Sequence, residues 1–172
     1  MSSRNDLPSA ELLGLQSGDT LLAIDYGEKR VGLATFSFMR DPYPLPYGRI
    51  LVKDKLKDKT KGKTKDNQSL LVELKAIVQT ENIRALILGI PHLTDGKATK
   101  MTTKIGQFGR QLVKAFPQLL FFEQDETLSS FEAEDRMKKS ARYNFKIKRD
   151  ELDALAASII LEDFLKRLPN SR

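Results

Sequence analysis

The sequence predicts an α/β fold in which a mixed sheet of five strands is flanked by helices. Three short apolar runs follow one another closely in the first third of the chain, and two later apolar runs each follow a segment with helical spacing. The chain then ends in a long, largely apolar helical segment. A chain that alternated strands and helices from its start would favour a purely parallel sheet. The order β-β-β-α-β-α-β-α-α therefore indicates a mixed sheet.

The first three strands are predicted from apolar runs separated by turn residues. Residues 20–25 (TLLAID) and 30–36 (RVGLATF) are joined by a turn around Gly27, which is typical of a β-hairpin. A proline-rich segment, DPYPLPYG, is interpreted as a bend, and residues 48–53 (GRILVK) follow it as a third strand. These runs predict an antiparallel meander.

Helices and strands alternate in the rest of the chain. Apolar residues recur at helical spacing before each of the two later strands, and Pro117 separates the second of these helices from the last strand. The predicted elements are helix 67–82, strand 84–91, helix 97–116, strand 119–126, helix 129–138 and helix 150–168. This order is that of the ribonuclease H-like fold.

The length and composition predict one domain and restrict its metal chemistry. A chain of 172 residues with 40% apolar content can bury one core, here predicted over 19–168 after an N-terminal extension, 1–18, expected to be flexible. The lysine-rich segment 53–66 contains one leucine and is predicted to be a flexible surface loop. There is no cysteine and one histidine, His92, which excludes disulfides and thiolate or histidine-rich metal sites. Any metal would be a hard cation held by oxygen.

The charge of the chain favours a polyanionic partner. The formal net charge is +6 and the isoelectric point is about 9.5, which suits nucleic acid but also serves ordinary solubility. No apolar stretch is long enough to span a membrane, and the N-terminus lacks a signal-peptide pattern. We therefore expect a cytoplasmic protein with no membrane partner.

Carboxylates stand where the predicted elements can bring them together. Asp25 ends the first strand, Asp125 and Glu126 end the last, and Asp150 and Asp153 lie in the first turn of the closing helix. Sites in open α/β sheets form outside the carboxyl ends of the central strands. Converging carboxylates repel one another unless a divalent cation neutralises them, and Mg²⁺ or Mn²⁺ held in this way can promote phosphodiester hydrolysis.

Each carboxylate also has a purely structural interpretation. Asp25, followed by Gly27, could be a turn former, although an unpaired carboxylate would be costly in a buried strand. Asp125 could cap the following helix, and for Asp150 a helix N-cap is the better interpretation. Asp153 enters an otherwise apolar stretch, which favours a functional role.

Basic residues near these carboxylates could contact a sugar-phosphate backbone. The candidates for nucleic-acid binding are Lys29, Arg30, Arg142, Lys146 and Lys148. Tyr143 and Phe145 are available to stack on bases. A solvated surface is an equally good interpretation of these charges.

Four ordered motifs resemble a known family. AIDYGEKRVGLA, LILGIPHLTDG, DETLSS and DALAASIILEDFL are similar to motifs of the YqgF/RuvX family of bacterial pre-16S ribosomal RNA nucleases, which is related to RuvC-type Holliday junction resolvases. The resemblance runs from about residue 20 to residue 166 and implies the ribonuclease H-like fold. It also implies that Asp25 is the central metal ligand, with Glu126 and Asp153 on either side and Asp150 as a further candidate.

Two features depart from the related sequences. Thr127 stands where the family usually has arginine, which removes a cation that could contact phosphate or orient Glu126. RuvC-type resolvases carry a glutamate at the end of the fourth strand, whereas this strand ends in LGIP. The site would therefore depend on Glu126 from the fifth strand.

The resemblance implies a metal-dependent endonuclease that acts on structured nucleic acid in the 5′ maturation of pre-16S rRNA. Two alternatives stay open at the level of the sequence. One is a DNA nuclease that resolves Holliday junctions, and the other is a catalytically silent module that binds nucleic acid or the ribosomal small-subunit precursor.

Overall fold

A single five-stranded sheet forms the centre of the molecule. The computed structural model describes residues 13–52, 67–91, 99–126 and 129–168. The strands are β1 Thr20–Tyr26, β2 Arg30–Ser37, β3 Leu45–Leu51, β4 Ile83–Ile90 and β5 Leu120–Asp125. The helices are α1 Gln68–Thr80, α2 Lys100–Ala115, α3 Ser129–Lys139 and α4 Arg149–Lys166, with a 3₁₀ turn at Ala141–Tyr143. The predicted order of elements is confirmed.

The sheet is mixed, as predicted. Its strand order is β3-β2-β1-β4-β5. The meander β1–β2–β3 is antiparallel, while β4 runs parallel to β1 and β5 runs parallel to β4. The carboxyl ends of β1, β4 and β5 therefore lie along one edge of the sheet.

Side chains that alternate along the strands divide the core into two layers. Leu22 and Ile24 of β1 face α1 and α2, in a cluster with Leu74, Phe108 and other apolar residues. The intervening residues face α4 in a second cluster, whose members include Leu21, Ala23, Ala34, Ala85, Ile87, Ala157, Ile160 and Phe164. Asp25 continues the alternation on the α4 face.

Helix α4 is buried along most of its length because it packs on two sides. Every residue from Ala154 to Leu161 is buried. One side of the helix packs on the sheet, and the other packs on α3 through a cluster that includes Met137 and Ile159. This double contact explains the nearly continuous apolar sequence of the helix.

The third strand and the closing helix begin earlier than predicted. β3 starts at Leu45, inside the segment interpreted as a bend, and ends at Leu51. It is an edge strand with a register irregularity, a position in which Pro46 is tolerated. α4 starts at Arg149 after an N-cap at Lys148, so the interpretation of Asp150 as the N-cap is wrong.

Several sequence predictions fall outside the described residues. They concern the extension up to residue 12, the lysine-rich segment 53–66, His92 and Thr127. Leu15, within the predicted extension, is described and packs in the cluster that faces α4.

Candidate active site

The site is organised around Asp25 near the carboxyl end of β1. Asp25 pairs with Gly32 of β2. On the other side, Ile24 pairs with Leu88 of the parallel strand β4, and the next residues of these two strands are Asp25 and Gly89. A residue without a side chain thus lies on each side of Asp25 on the α4 face. The interpretation of Asp25 as a turn residue is wrong, because the turn follows it and is closed by a hydrogen bond from the Gly27 amide to the Arg30 carbonyl (2.9 Å).

Glu126 is fixed where the chain leaves β5. Its amide donates to the carbonyl of Ile90 (3.1 Å), and its own carbonyl accepts from the amide of Ser129 at the start of α3 (2.9 Å). Its side chain reaches across β4, because a Cβ atom on Gly89 would lie 2.5 Å from Glu126 Oε2 and 2.6 Å from Ile160 Cδ1. Glu126 therefore occupies the space that a side chain from the end of β4 would fill.

Asp153 approaches from the first turns of α4. The helix packs so closely on β2 that a Cβ atom on Gly32 would lie 1.9 Å from the Asp153 carbonyl oxygen. Arg49, which pairs with Gly32 from β3, donates to the carbonyl of Arg149 (3.4 Å) and adds a contact at the helix start. Arg30 Nε lies 3.0 Å from Asp153 Oδ2 in an ion pair. The strand glycine thus sets the height of Asp153 above the sheet.

The electrostatics connect Asp25 with the other two carboxyl groups of the site. Burial raises the pKa of Asp25 to about 6, a hydrogen bond with Glu126 opposes this shift, and the charge of Asp153 adds to it. The pKa of Glu126 is raised to about 8, chiefly by burial and further by the charge of Asp25, the hydrogen bond to Asp25 and the charge of Asp125. These directions fit a neutral Glu126 carboxyl that donates its proton to an ionised Asp25.

The donor set fits a hard divalent cation. Among the residues that the structure describes, two buried carboxylate oxygens lack a hydrogen-bond donor, namely Glu126 Oε2 and Asp153 Oδ2. A buried carboxylate oxygen is satisfied by a donor, by protonation or by a cation. Carboxylate oxygens that converge in this way are the ligands preferred by Mg²⁺ and Mn²⁺.

The site residues are not arranged as a ready-made metal cluster. Within the described ranges, no three histidine, cysteine, aspartate or glutamate side chains form a group that could hold a metal ion as they stand. Asp25 and Glu126 are engaged with each other, and Asp153 is paired with Arg30. Asp150 is exposed one turn before Asp153, and the structure does not bring it to the Asp25–Glu126 pair.

The predicted nucleic-acid-binding residues fall into two groups. Lys29 and Arg30 are exposed beside the carboxylates, at the turn between β1 and β2. The others lie around the 3₁₀ turn before α4, where Arg142 and Lys148 flank the ring of Tyr143 and Lys146 is exposed. The prediction that Tyr143 is available for base stacking is wrong, because its ring is buried against α3 and α4. Phe145 is 62% exposed.

Gly32 and Gly89 also shape the candidate site, through the space that they leave on the α4 face of the sheet. Neither was singled out as a site residue, although each is a glycine inside a predicted strand. Glycine in a strand interior often marks the close approach of another backbone or group. That signal was present for both residues.

Comparison with known proteins identifies the family. A family model described as RuvX, Holliday junction resolvase, matches residues 19–167. The chain belongs to the RuvX family. The resemblance inferred from the four motifs is thus confirmed, and it assigns the chain to a family of resolvase-type nucleases.

Curated relatives of this RuvX-family chain match it over nearly its whole length. A protein of Orientia tsutsugamushi (strain Ikeda) named "Putative pre-16S rRNA nuclease" is 32% identical over 161 residues, which cover 92% of each chain. A protein of the same name from Maridesulfovibrio salexigens is 35% identical over 150 residues, 86% of this chain and 98% of that protein.

Solved structures with low sequence identity share the fold of the RuvX-family chain. The structure of Thermus thermophilus RuvC has a TM-score of 0.56 at 13% identity and covers 86% of this chain and 95% of its own. The yeast mitochondrial Holliday junction resolvase Ydc2 has a TM-score of 0.50 at 14% identity and covers 92% of this chain and 82% of its own. These likenesses confirm the predicted ribonuclease H-like fold.

In the described part of the chain, no helix combines the length and the apolar character needed to cross a bilayer.

Proposed function

We propose that this chain is a divalent-metal-dependent endonuclease that hydrolyses phosphodiester bonds of structured nucleic acid in the cytoplasm, with Asp25, Glu126 and Asp153 as its catalytic residues. We further propose that its substrate is precursor 16S rRNA and that it acts in maturation of the 5′ end. The observation that carries the proposal is the convergence of three carboxyl groups, from β1, the end of β5 and α4, on one face of the sheet. The names of the relatives support the choice of substrate.

The carboxylates would hold Mg²⁺ or Mn²⁺, with Asp25 in the centre, Glu126 and Asp153 on either side, and Asp150 as a further candidate one helical turn away. The bound cation supplies a Lewis acid that polarises the phosphoryl oxygen and lowers the pKa of a bound water. Asp25 and Glu126 can both act as ligands only when they have lost the proton between them, because metal ligands must be deprotonated. The raised pKa of Glu126 therefore makes metal binding weaker at acidic pH.

The chain also supplies positive charge where the phosphate backbone would approach. Lys29 and Arg30 stand at the turn beside Asp25, and the basic residues around the 3₁₀ turn precede the helix that carries Asp153. Contacts of this kind orient the substrate without reading its sequence. Orientation matters because an in-line displacement needs the scissile phosphate at a fixed angle to the attacking water.

A single cleavage assay tests the proposal. The full chain is incubated with 16S rRNA precursor or with a four-way DNA junction, in Mg²⁺, Mn²⁺ or chelator. Asp25→Asn should reduce metal-dependent cleavage by at least about 100-fold while the protein stays folded, because it removes the central charge. Asp135→Asn is the matched control, since Asp135 pairs with Lys139 on the exposed face of α3, away from the site.

The other outcomes separate the alternatives. Cleavage retained in Asp25→Asn would contradict the assignment of the site. Cleavage of the DNA junction alone would favour the resolvase function, which the description of the family model also suggests. Binding without cleavage in any of the ions, unchanged in Asp25→Asn and dependent on salt, would favour the silent binding module.

A further inference from the structure

We propose that Arg30 is a placeholder cation: it neutralises Asp153 while no divalent ion is bound, and binding of the ion releases its guanidinium toward the substrate phosphate. This inference rests on the proposed metal-dependent function of the same site. It assigns Arg30 a positioning role that couples metal binding to substrate binding.

The contact between Arg30 and Asp153 is ionic without being a hydrogen bond. Arg30 Nε lies 3.0 Å from Asp153 Oδ2, yet no donor in the described chain meets the geometry of a hydrogen bond to that buried oxygen. The Arg30 side chain is 46% exposed, whereas that of Asp153 is 19% exposed. The charge on Asp153 Oδ2 is therefore balanced by one guanidinium, while the oxygen accepts no hydrogen bond from the described residues.

Such a contact is easily exchanged for a better cation. An ion pair with a half-exposed partner contributes little stability, because water screens the charges and the long side chain loses rotamer freedom. A divalent ion would contact Asp153 together with Asp25 and Glu126, and it would relieve the repulsion between the charges of Asp153 and Asp25. Arg30 and a divalent ion at the same oxygen would repel each other, so binding of the ion favours the departure of Arg30.

The released guanidinium has a short path to the substrate. The backbone of Arg30 is held at the start of β2, where its carbonyl accepts from the Gly27 amide (2.9 Å) and the strand pairs with β3. Only the side chain needs to move, and its head already lies at the solvent-facing edge of the site next to Lys29. Arginine suits this role because its planar head can bind phosphate through two parallel hydrogen bonds.

The first experiment measures Mn²⁺ binding by calorimetry in the absence of nucleic acid. Arg30→Gln should tighten Mn²⁺ binding about threefold, because the competing cation is removed. Lys29→Gln is the matched control for loss of one nearby positive charge and should change the affinity by less. Arg30→Lys, which keeps the charge, should stay closer to the wild type. An affinity for Arg30→Gln that is weaker than that of the wild type, or equal to that of Lys29→Gln, would overturn the inference.

The second experiment measures binding of a labelled duplex RNA by anisotropy, without metal and with Ca²⁺, after a gel has shown that the RNA stays intact. Without metal, wild type and Arg30→Gln should bind within about twofold of each other, because Asp153 retains the guanidinium. Ca²⁺ should increase RNA affinity about threefold more in the wild type than in Arg30→Gln. Equal increases would overturn the release step.

Neither readout depends on cleavage. If Arg30→Gln fails to change Mn²⁺ or RNA binding while Asp25→Asn still abolishes cleavage, the placeholder role is wrong and the proposed nuclease stands. If the wild type binds no Mn²⁺, the placeholder role is also wrong, and only metal-dependent cleavage by the same preparation would preserve the proposed function.

Discussion

Two clusters of charged side chains in this molecule differ in how fully hydrogen bonds balance their charges. On the far side of α4 from the sheet, Arg136 of α3 donates to Glu162 through two nitrogens, at 2.8 and 2.7 Å, and to Glu132 at 2.6 and 3.1 Å. These bonds raise the pKa of Arg136 above its ordinary value, with the bond to Glu162 as the largest cause. At the candidate active site, two buried carboxylate oxygens of Glu126 and Asp153 lack a donor among the described residues.

The difference is the one expected between a structural cluster and a candidate functional site. The Arg136 cluster surrounds one cation with two carboxylates in good hydrogen-bond geometry, and it joins two helices. At the Asp25 site, Asp25 and Glu126 share a hydrogen bond, the charge of Asp153 acts on Asp25, and one guanidinium at the rim pairs with Asp153, so the negative charge is incompletely compensated. A fold retains such an arrangement at a cost in stability, which is characteristic of functional sites.

The largest expected effect follows from Glu126→Gln. Cleavage should fall by about 100-fold or more, because a ligand charge is lost. The metal-free protein should become more stable at pH 8 by on the order of 1 kcal/mol, because an amide can donate to Asp25 without repelling it. Cleavage rates and thermal unfolding followed by circular dichroism check both halves. Normal cleavage together with a lower unfolding temperature would show that Glu126 has a structural role and no role in cleavage.

Gly32→Ala should produce the largest loss of stability. Its Cβ would lie 1.9 Å from the backbone oxygen of Asp153, so α4 must shift, and the free energy of unfolding should fall by about 2–3 kcal/mol. Gly106→Ala is the matched control, because that Cβ meets only Arg110, at 4.0 Å, inside a helix. The control should gain about 0.5–1 kcal/mol in stability. Equal stabilities of the two variants would show that the close contact of α4 with β2 is unimportant.

Arg136→Gln should affect stability and leave cleavage unchanged. The cluster is partly exposed, so the bonds lost to Glu132 and Glu162 should cost about 1–2 kcal/mol. Lys139→Gln removes a more exposed ion pair with Asp135 and should cost less than about 0.5 kcal/mol. Denaturant unfolding of the two variants gives the comparison. A cleavage defect in folded Arg136→Gln would remove the distinction between the two clusters.

The pH dependence of stability tests the proton shared by Asp25 and Glu126 without any substitution. The folded pKa values of Asp25 and Glu126, about 6 and about 8, lie above the ordinary values of 3.8 and 4.5. Between about pH 4 and pH 8 the folded metal-free protein binds more protons than the unfolded chain, so its stability falls as the pH rises. We expect a loss of several kcal/mol from pH 5 to pH 8, which Mn²⁺ should partly offset at pH 8. The slope should flatten in Glu126→Gln, and an unchanged slope would contradict the shared proton.

The sequence predicted most of the fold because hydrophobic patterns identify buried strands and helices. The exception was β3, where Pro46 lies within the strand and made the segment look like a bend. The segment can form a strand despite Pro46 because it lies at the edge of the sheet, and edge position depends on tertiary structure rather than on the local sequence pattern. Asp150 was misassigned for a similar reason, since the helix began one residue earlier than its local signals indicated.

The convergence of Asp25, Glu126 and Asp153 could be predicted because strand ends and a helix start limit where their side chains lie. The Arg30–Asp153 pair could not be predicted, since the two residues are far apart in the chain and their contact depends on how α4 settles on β2. The burial of Tyr143 depends on the same packing of helices. Contacts that depend on how a helix packs on the sheet or on another helix are difficult to predict from local sequence patterns.

The contact of α4 with Gly32 also has a consequence for the order in which the protein becomes competent. Asp25 lies on β1 and Asp153 on α4, the first and the last of the described elements, so the proposed site is completed only when α4 docks. Domains generally fold as units once their residues have emerged from the ribosome. If the chain cleaves a ribosomal RNA precursor as proposed, a nascent chain would therefore be inactive as a nuclease until α4 had been synthesised.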